Sequence, residues 1–505
     1  MTHNGLLHDG LAYGARRDPD KVFGSVDGDV VRYGELARWS DGVAAHLQDR
    51  GVQAGDTVAL AGGNSLAWMA AAFAILKCGG IIVPVNDRYV ADEVDYLIGF
   101  TEPRVVMADD ARRAIVAQTR CDVPVIALEA LETFRDGPPL GWREVRTSSD
   151  AVAMVIFTSG STARPKGAMM THGNYLAKFL EMMLLDTRLG PDTRALMPLG
   201  LHSSPGLPWG ILFTATLGAT LYVTKKYRAD ETLATLRDAR VTFFIGAPMI
   251  FDQIAKLPDF AAADLSALRF ARCGGATLNP ATAAAWRAKG VVVRGLYGMT
   301  EMGGGSLIAS EEEALVAPDS CGRGLTFTRF RIVRPDGGDC APGEPGDILL
   351  RGPGMMAGYW RDPEATAATI IDGWLHTGDV GAVDEDGYFR FVDRSKEIIK
   401  SGGFNISPTE IEAVLVEIDG VIEAAVFAVG DDKFGEVPFA SLCVSAEIEP
   451  GHVIERCRGK LAAFKLPRYV LVDRAPLPRL ANQKLDRRTL KALFADPARR
   501  PSRID

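Results

Sequence analysis

Short runs of Val, Ile and Leu alternate with helix-like segments through the first ~320 residues, and this alternation limits the possible folds more than any other feature. Asp56–Gly62 and Gly80–Val85 are predicted strands on either side of a helix at Leu66–Lys77. Further strands are expected at Arg104–Met107, Val123–Ala127, Ala219–Val223, Val241–Ile245, Arg269–Cys273 and Val291–Arg294, with helices such as Glu231–Ala239 and Pro280–Lys289 between them. Strands that alternate with helices build βαβ units. The sequence therefore predicts an α/β fold with mixed, largely parallel sheets.

The pattern changes twice further along the chain. From Phe327 short strands alternate with Gly, Pro and Asp turns, which predicts a small β subdomain over about residues 325–392. A new series of elements then begins after Asp393. The elements expected in these two regions are strands at Arg329–Arg334 and Gly346–Arg351, a helix around Glu410, strands at Ala424–Val429 and Phe439–Val444, and a helix at His452–Leu461. Because 505 residues exceed what one core usually organises, we place a domain boundary at Asp393, between residues 1–392 and 393–505.

Composition and charge argue against several classes of protein. A net charge of −8 does not favour nucleic-acid binding, which needs a basic face. The seven cysteines form no CxxC pair, which is typical of a reduced, intracellular protein. The N-terminus lacks the features of a signal peptide, and the longest apolar stretch, Leu66–Val85, is interrupted by Lys77 and Pro84. We therefore expect a cytoplasmic protein with no transmembrane segment, and a frayed end at Pro497–Asp505.

One segment has the composition of a phosphate-binding loop. Ile156-Phe-Thr-Ser-Gly-Ser-Thr-Ala-Arg-Pro-Lys-Gly167 follows a predicted buried strand, and its backbone N–H groups, hydroxyls and cations suit phosphate oxygens. It is not a Walker A loop, because Pro165 precedes the lysine and Gly167 follows it. The candidate nucleotide-binding residues are Thr158, Ser159, Gly160, Ser161, Thr162 and Lys166. Composition alone leaves open an ordinary solvated Ser/Thr/Gly loop.

Five segments, in order along the chain, resemble the motifs of the adenylate-forming enzymes, which include acyl-CoA synthetases, adenylation domains of peptide synthetases and luciferases. The first is the loop just described. The others are Tyr297-Gly-Met-Thr-Glu301, Gly373-Trp-Leu-His-Thr-Gly-Asp379, Asp393-Arg-Ser-Lys-Glu-Ile-Ile-Lys-Ser-Gly-Gly-Phe-Asn-Ile-Ser-Pro-Thr-Glu410 and Leu477-Pro-Arg-Leu-Ala-Asn-Gln-Lys484. The resemblance, strongest to free-standing CoA ligases, implies an ATP-dependent acid–CoA ligase with a smaller, mobile α+β C-terminal domain.

The resemblance also implies roles in a first half-reaction, in which a carboxylic acid and ATP give an acyl-adenylate and pyrophosphate. Lys484 would bridge the carboxylate and the phosphate, Glu301 would hold Mg²⁺, and Thr300 would donate to the α-phosphate. The residues assigned to adenine and ribose are Gly274, Gly275, Ala276, Tyr297, Gly298, Asp379 and Arg394.

A second half-reaction would transfer the acyl group to coenzyme A. By resemblance the C-terminal domain rotates about a hinge at Asp393 and brings Lys400, Gly402 and Gly403 to the site, where two glycines leave room for a narrow pantetheine channel. The alternative is an ordinary Gly-Gly turn. His202 resembles the histidine between the acyl and thiol sites. Because no neighbouring carboxylate is visible in the sequence, we assign His202 a positioning role rather than base catalysis.

The acyl pocket is the least specified part of the site. By resemblance it is lined by Leu207, Trp209, Met249, Cys273, Gly303 and Gly304. The glycines are expected to leave volume, and the apolar surroundings favour a hydrophobic fatty, alicyclic or aromatic monocarboxylate.

Two departures from the family pattern, Ala163 and Gln483, stand where the family usually has glycine. They keep open a catalytically impaired nucleotide-binding homologue as an alternative to the CoA ligase. A further alternative is an adenylating enzyme that serves a carrier protein or another acceptor. A homodimer is compatible with the sequence, which does not specify an oligomeric state.

Overall fold

The structure is a computed structural model that describes residues 5–138, 140–145, 147–158, 165–275, 278–394, 397–401, 404–431, 433–458, 460–461, 463–480 and 485–504. The chain divides into two compact units. The first contains Met1–Phe330 and Leu350–Leu375, and the second contains Arg331–Leu349 and His376–Asp505. These units are defined by compactness, whereas the predicted boundary at Asp393 marks where a C-terminal domain would rotate. That boundary stays a prediction.

The strands are short, as expected for an α/β protein. They are β1 Val22–Val26, β2 Asp29–Arg32, β3 Thr57–Ala61, β4 Ile81–Val85, β5 Val105–Ala108, β6 Val125–Ala127, β7 Val152–Thr158, β8 Lys166–Thr171, β9 Arg194–Met197, β10 Thr220–Val223, β11 Phe243–Gly246, β12 Phe270–Gly274, β13 Val293–Met299, β14 Gly304–Ile308, β15 Arg329–Val333, β16 Gly346–Arg351, β17 Gly358–Tyr359, β18 Ile370–Ile371, β19 Trp374–Val383, β20 Phe389–Arg394, β21 Ile399–Ser401, β22 Phe404–Ile406, β23 Val421–Asp431, β24 Gly435–Val444 and β25 Tyr469–Asp473.

The helices lie between these strands. They are α1 Asp9–Arg17, α2 Tyr33–Asp49, α3 Leu66–Lys77, α4 Ala91–Thr101, α5 Asp110–Val116, α6 His172–Leu185, α7 Phe213–Leu217, α8 Ala229–Asp238, α9 Pro248–Ala255, α10 Pro280–Ala288, α11 Glu311–Val316, α12 Pro363–Thr369, α13 Pro408–Leu415, α14 Pro450–Arg458 and α15 Arg487–Leu493. Within the described part of the chain, no helix is both long enough and apolar enough to cross a membrane.

Two largely parallel sheets form the first unit. The eight-stranded sheet has the order β14-β13-β12-β11-β9-β10-β1-β2, and the seven-stranded sheet has the order β17-β8-β7-β4-β3-β5-β6. Antiparallel pairs lie only at the ends of these described orders, at β14, β2 and the β17-β8-β7 edge. Strands buried on both faces read as continuous apolar runs, as β3 and β4 do. The predicted α/β fold class is confirmed.

The second unit contains an antiparallel β19–β20 pair and a separate sheet with the order β22-β21-β24-β23, to which β25 adds in parallel beside β24. Its core includes Ile399, Ile411, Leu415, Val426 and Leu442, which are all buried.

Two local expectations were wrong. Residues 166–171 form strand β8, whereas Lys166 and Gly167 were expected to belong to the phosphate-binding loop and no strand was predicted there. The C-terminal end is docked rather than frayed, because Ile504 N donates to Arg468 O at 2.9 Å and the Arg500 guanidinium donates to Gly430 O at 2.9 Å.

Candidate active site

Glu301 lies at the centre of a small polar cluster in the first unit. It follows β13 in a 3₁₀ turn, Thr300–Met302, which ends at Gly303 with φ = 70°. The side chain is buried, and its Oε1 atom accepts hydrogen bonds from Tyr359 Oη at 3.0 Å and from Thr158 Oγ1 at 3.3 Å. A buried carboxylate is therefore held in place by two hydroxyl groups that come from distant parts of the chain.

Lys166 adds a positive charge to this cluster. It pairs with Thr158 across the antiparallel β7–β8 ladder, and its Nζ atom lies 5.0 Å from the centre of the Tyr359 ring. The structure thus brings together three of the predicted site residues, Thr158, Lys166 and Glu301. Ser159, Gly160, Ser161 and Thr162 lie outside the described residues.

Tyr359 is a site residue that the sequence analysis missed. It lies in β17, which pairs with β8, and Trp360 N donates to Gly167 O at 2.7 Å beside it. Burial, followed by the charge of Glu301, raises the pKa of the Tyr359 hydroxyl, which stays protonated as a donor. Its only sequence signal is a hydroxyl-bearing aromatic residue after Gly358, and this does not specify which segment it will contact.

The cluster fits a magnesium ion that is bound mainly through substrate. The described residues contain no group of three or more His, Cys, Asp and Glu side chains that could enclose a metal. Glu301 instead offers one fixed carboxylate. Mg²⁺ is commonly bound by one or two carboxylates together with phosphate oxygens and water, so this donor set suits it.

Glycines allow close approach of the backbone beside Glu301. A Cβ atom on Gly298 would overlap Gly304 O, because β13 and β14 come together there. A Cβ atom on Gly304, which has φ = 100°, would lie 2.5 Å from Trp209 Nε1. That indole group donates to Gly303 O at 3.0 Å. The expectation that Gly303 and Gly304 leave open volume is corrected, since Trp209 and the Lys178 side chain occupy the space beside them.

The other predicted pocket residues have different surroundings. Leu207 and Trp209 are buried in a π-helical segment, Pro205–Leu212, a conformation found often at functional sites. Cys273 is buried in β12, whereas Met249 on α9 is 41% exposed.

The described residues assigned to adenine lie at or just after the C-terminal ends of β12 and β13. Gly274 packs against Leu296, and Gly275 has φ = 89°, which favours glycine. Tyr297 is largely buried in β13, and Thr300 opens the turn that carries Glu301. Ala276 lies outside the described residues.

His202 follows β9 in a loop, and a carboxylate does lie near it. His202 Nε2 is 3.9 Å from Asp87 Oδ1, although no neighbouring carboxylate was expected. Burial lowers the pKa of the His202 imidazole, while the charge of Asp87 opposes this shift.

In the second unit, the two predicted ribose-binding residues are partners across β19 and β20. Asp379 and Arg394 face each other in register, with Arg394 Nε 3.6 Å from Asp379 Oδ1. Asp379 N also donates to Thr377 Oγ1 at 3.1 Å, which fixes the turn before the carboxylate.

Asp393 is tied to the elements that follow it. Its buried carboxylate accepts from Ser407 Oγ at 2.7 Å, Thr409 N at 3.0 Å and Arg394 N at 2.8 Å. The N-terminal end of α13 is thereby attached to the predicted hinge residue. Lys400 is exposed in β21, while Gly402, Gly403 and Lys484 lie outside the described residues.

The chain is similar to known proteins over most of its length. It is 35% identical to a feruloyl-CoA synthase from an Amycolatopsis species, over 92% of this chain and 94% of that protein. It is 33% identical to an indoleacetate–CoA ligase from Aromatoleum aromaticum, over 92% of this chain and 93% of that protein. Among solved structures, ATP-bound MatB from Rhodopseudomonas palustris superposes with a TM-score of 0.87 at 29% identity, over 97% of this chain and 99% of that one.

Two family models match the chain. The model of the AMP-binding enzymes matches residues 11–360, which include the Thr158, Lys166, Glu301 and Tyr359 cluster. The model of the AMP-binding enzyme C-terminal domain matches residues 410–484. The resemblance read from the five motifs is therefore confirmed, and the chain belongs to the AMP-binding enzyme family.

Proposed function

We propose that this protein is an AMP-forming acid–CoA ligase, which activates a carboxylic acid with ATP and transfers the acyl group to coenzyme A. The observation that carries this proposal is the Glu301 cluster, in which the hydroxyls of Thr158 and Tyr359 hold a buried carboxylate and Lys166 lies over the Tyr359 ring. The names of the relatives support the same reaction, because they are CoA synthases and CoA ligases.

Activation is needed because a carboxylate has no good leaving group. Attack of the acid on the α-phosphorus of ATP joins two negatively charged reactants, so the site must neutralise and orient them. Lys166 provides a fixed positive charge, and Thr158 orients one oxygen of Glu301. When bound, Mg²⁺ would neutralise charge on the phosphates, and Glu301 is its proposed ligand.

The remaining assignments rest on the motifs. Lys484 is the proposed cation between carboxylate and α-phosphate, and Thr300 the donor to that phosphate. Asp379 and Arg394 are proposed to bind the ribose, since a carboxylate can accept from two hydroxyl groups. Gly274, Gly275, Ala276, Tyr297 and Gly298 are proposed to surround the adenine.

The thioester step uses a different set of residues. We propose that residues 393–505 pivot at Asp393, so that Lys400, Gly402 and Gly403 serve this step while Lys484 serves the first. Two such arrangements require one backbone position to absorb a large rotation.

The proposed substrate is a hydrophobic acid, aromatic or alicyclic in preference to long-chain aliphatic. The predicted pocket offers apolar and aromatic side chains, among them Leu207, Trp209 and Cys273. The relatives named for feruloyl-CoA and indoleacetate share 35% and 33% of the compared residues, whereas a long-chain fatty acid ligase from Mycobacterium tuberculosis shares 29%. We further propose a cytoplasmic location and a homodimer.

One assay tests the proposed function. The enzyme is given ATP, Mg²⁺, CoA and, in turn, ferulate, indoleacetate, a long-chain fatty acid, and acetate as the control. Pyrophosphate release and the thioester mass are measured together. We expect both products with the aromatic acids and little of either with acetate. Pyrophosphate without thioester would identify a different acyl acceptor, and neither product with any acid would contradict the proposal.

A further inference from the structure

Asp87 and His202 lie on two separate loops that meet in the first unit. Asp87 follows β4, and His202 follows β9. The imidazole Nε2 atom is 3.9 Å from Asp87 Oδ1, which is too long for a hydrogen bond and at the outer limit for an ion pair with a protonated ring. The other ring nitrogen, Nδ1, is buried and has no hydrogen-bond partner among the described residues. Nε2 thus faces a carboxylate, while Nδ1 makes no hydrogen bond to a described residue and can accept a proton.

The His202 loop is fixed by backbone contacts that leave the ring nitrogens unused. Asn64 Oδ1 accepts from Leu201 N at 2.7 Å, and Asn64 Nδ2 donates to Thr224 O at 2.8 Å. The ring packs over Gly200, where a Cβ atom would overlap the imidazole. These contacts position the loop, but among the described groups only Asp87 presents a negative charge to the imidazole itself.

The charges around the imidazole oppose one another. Burial, Arg88 and Arg112 disfavour the protonated ring, whereas Asp87 favours it. Among these groups Asp87 alone favours the imidazolium, so the neighbouring carboxylate whose absence from the sequence pattern argued against base catalysis by His202 is present in the structure.

We propose that Asp87 is a positioning residue for His202 in the thioester-forming step. This inference rests on the proposed function. In that step the CoA thiol loses its proton to His202 Nδ1 while sulfur bonds to the acyl carbon. The bond from that carbon to the AMP oxygen then breaks, and AMP leaves with the electron pair. Asp87 orients the ring with Nδ1 towards the thiol and stabilises the imidazolium that forms.

Single-turnover kinetics test the proposal with three variants. Asp87→Asn removes the charge, Asp87→Glu restores it, and Asp92→Asn removes an exposed carboxylate on nearby α4 as the matched control. For Asp87→Asn we expect adenylate formation to stay within about twofold, and consumption of the adenylate by CoA to slow about tenfold or more. In the pH–rate profile of this second step, the acidic limb of Asp87→Asn should lie at lower pH than that of the wild type. Asp87→Glu should recover most of the rate, and Asp92→Asn should match the wild type.

A second measurement does not depend on turnover. NMR titration of isotopically labelled histidine, with the His202 signal assigned by its loss in His202→Gln, reports the pKa of the ring directly. This pKa should fall in Asp87→Asn and recover in Asp87→Glu. An unchanged pKa, or equal slowing of both half-reactions in Asp87→Asn, would overturn the proposal. If the wild type forms no thioester, the proposed function fails, and the catalytic role of Asp87 fails with it even where the pKa responds.

Discussion

At the scale of single residues, the candidate site depends on where one carboxylate is held. Glu301 is buried and accepts hydrogen bonds from two hydroxyl groups, so its oxygens are oriented before any nucleotide binds. Preorganised charge of this kind is worth more than charge that must be oriented during the reaction.

Replacement of this carboxylate should change the metal dependence of activation. Glu301→Gln keeps the shape and the acceptor oxygen but removes the charge, so a hard dication loses its preferred ligand. We expect the Mg²⁺ concentration for half-maximal pyrophosphate release to rise at least tenfold, whereas Glu312→Gln, on exposed α11, should leave it unchanged. The assay is pyrophosphate release across a Mg²⁺ series. An unchanged Mg²⁺ series for Glu301→Gln would remove Glu301 as the proposed ligand.

Tyr359 should influence the same quantity through Glu301. Tyr359→Phe keeps the ring beside Lys166 but removes the donor to Glu301, and a hydrogen bond to a charged group contributes about 1.5–3 kcal/mol. We expect a smaller rise in the Mg²⁺ requirement than for Glu301→Gln, while Tyr13→Phe on an exposed helix face serves as the control. Because both changes act on one oxygen, the double variant should be no worse than Glu301→Gln. Full additivity would argue against this coupling.

Residues in motifs were predictable from the sequence, whereas their partners were not. Thr158, Lys166 and Glu301 belong to segments with a recognisable pattern. Tyr359 and Asp87 do not, because their roles come from contacts between distant segments, and no local spacing encodes such a meeting.

At the scale of elements, a buried helix with clear end signals was predicted best. Helix α3 matches its predicted bounds, because an apolar helix with Ser65 as its N-cap and a glycine turn after it has clear ends. Strand β8 was missed because it begins with Lys166 and Gly167, has an antiparallel partner and lies directly before α6. Its strand conformation is set by its pairing with β7 and β17.

The β13–β14 pair offers a test of how an element positions the site. Gly298→Ala would place a methyl group against Gly304 O, and neither backbone can yield without moving the Glu301 turn. Overpacking typically costs about 1–3 kcal/mol. We expect a loss of stability of this size, seen in urea unfolding, together with a raised KM for ATP. Gly190→Ala, where nothing lies within 4 Å of the added Cβ, is the matched control. A stable variant with an unchanged KM would show that this close approach is unimportant.

At the scale of the whole molecule, the proposed division of labour predicts separable half-reactions. If Lys484 acts only in adenylation, Lys484→Ala should lose about 2.7–4 kcal/mol of transition-state stabilisation in that step, by analogy with the removal of one oxyanion donor. Thioester formation from supplied acyl-adenylate and CoA should largely survive. Single-turnover rates of the two steps provide the measurement, and an equal loss in both would contradict two separate active arrangements.

The stability of the first unit should depend on pH through two buried histidines. His8 precedes α1 and His172 begins α6, with their ring centres 6.4 Å apart. Burial above all, with the charge of Lys77 acting on His8 and that of His8 acting on His172, lowers the pKa of each imidazole from 6.5 to about 4. The unfolded chain therefore binds more protons than the folded chain between these values. The contribution of the two neutral histidines to the free energy of unfolding is fully present above pH 6.5 and is lost as the pH falls towards about 4.

The first unit contains all seven tryptophans, so tryptophan fluorescence during urea unfolding reports on it alone. We expect each buried histidine to make the free energy of unfolding about 2 kcal/mol smaller at pH 5 than at pH 7. His8→Leu removes one of these protonation sites, so the loss of stability between pH 7 and pH 5 should shrink by about that amount. The substitution breaks no hydrogen bond of Nδ1 to a described residue. His452→Leu, at an exposed position in the second unit, should leave the pH dependence unchanged. If His8→Leu shows the same loss as the wild type, carboxylates rather than this histidine pair control the acid sensitivity of the unit.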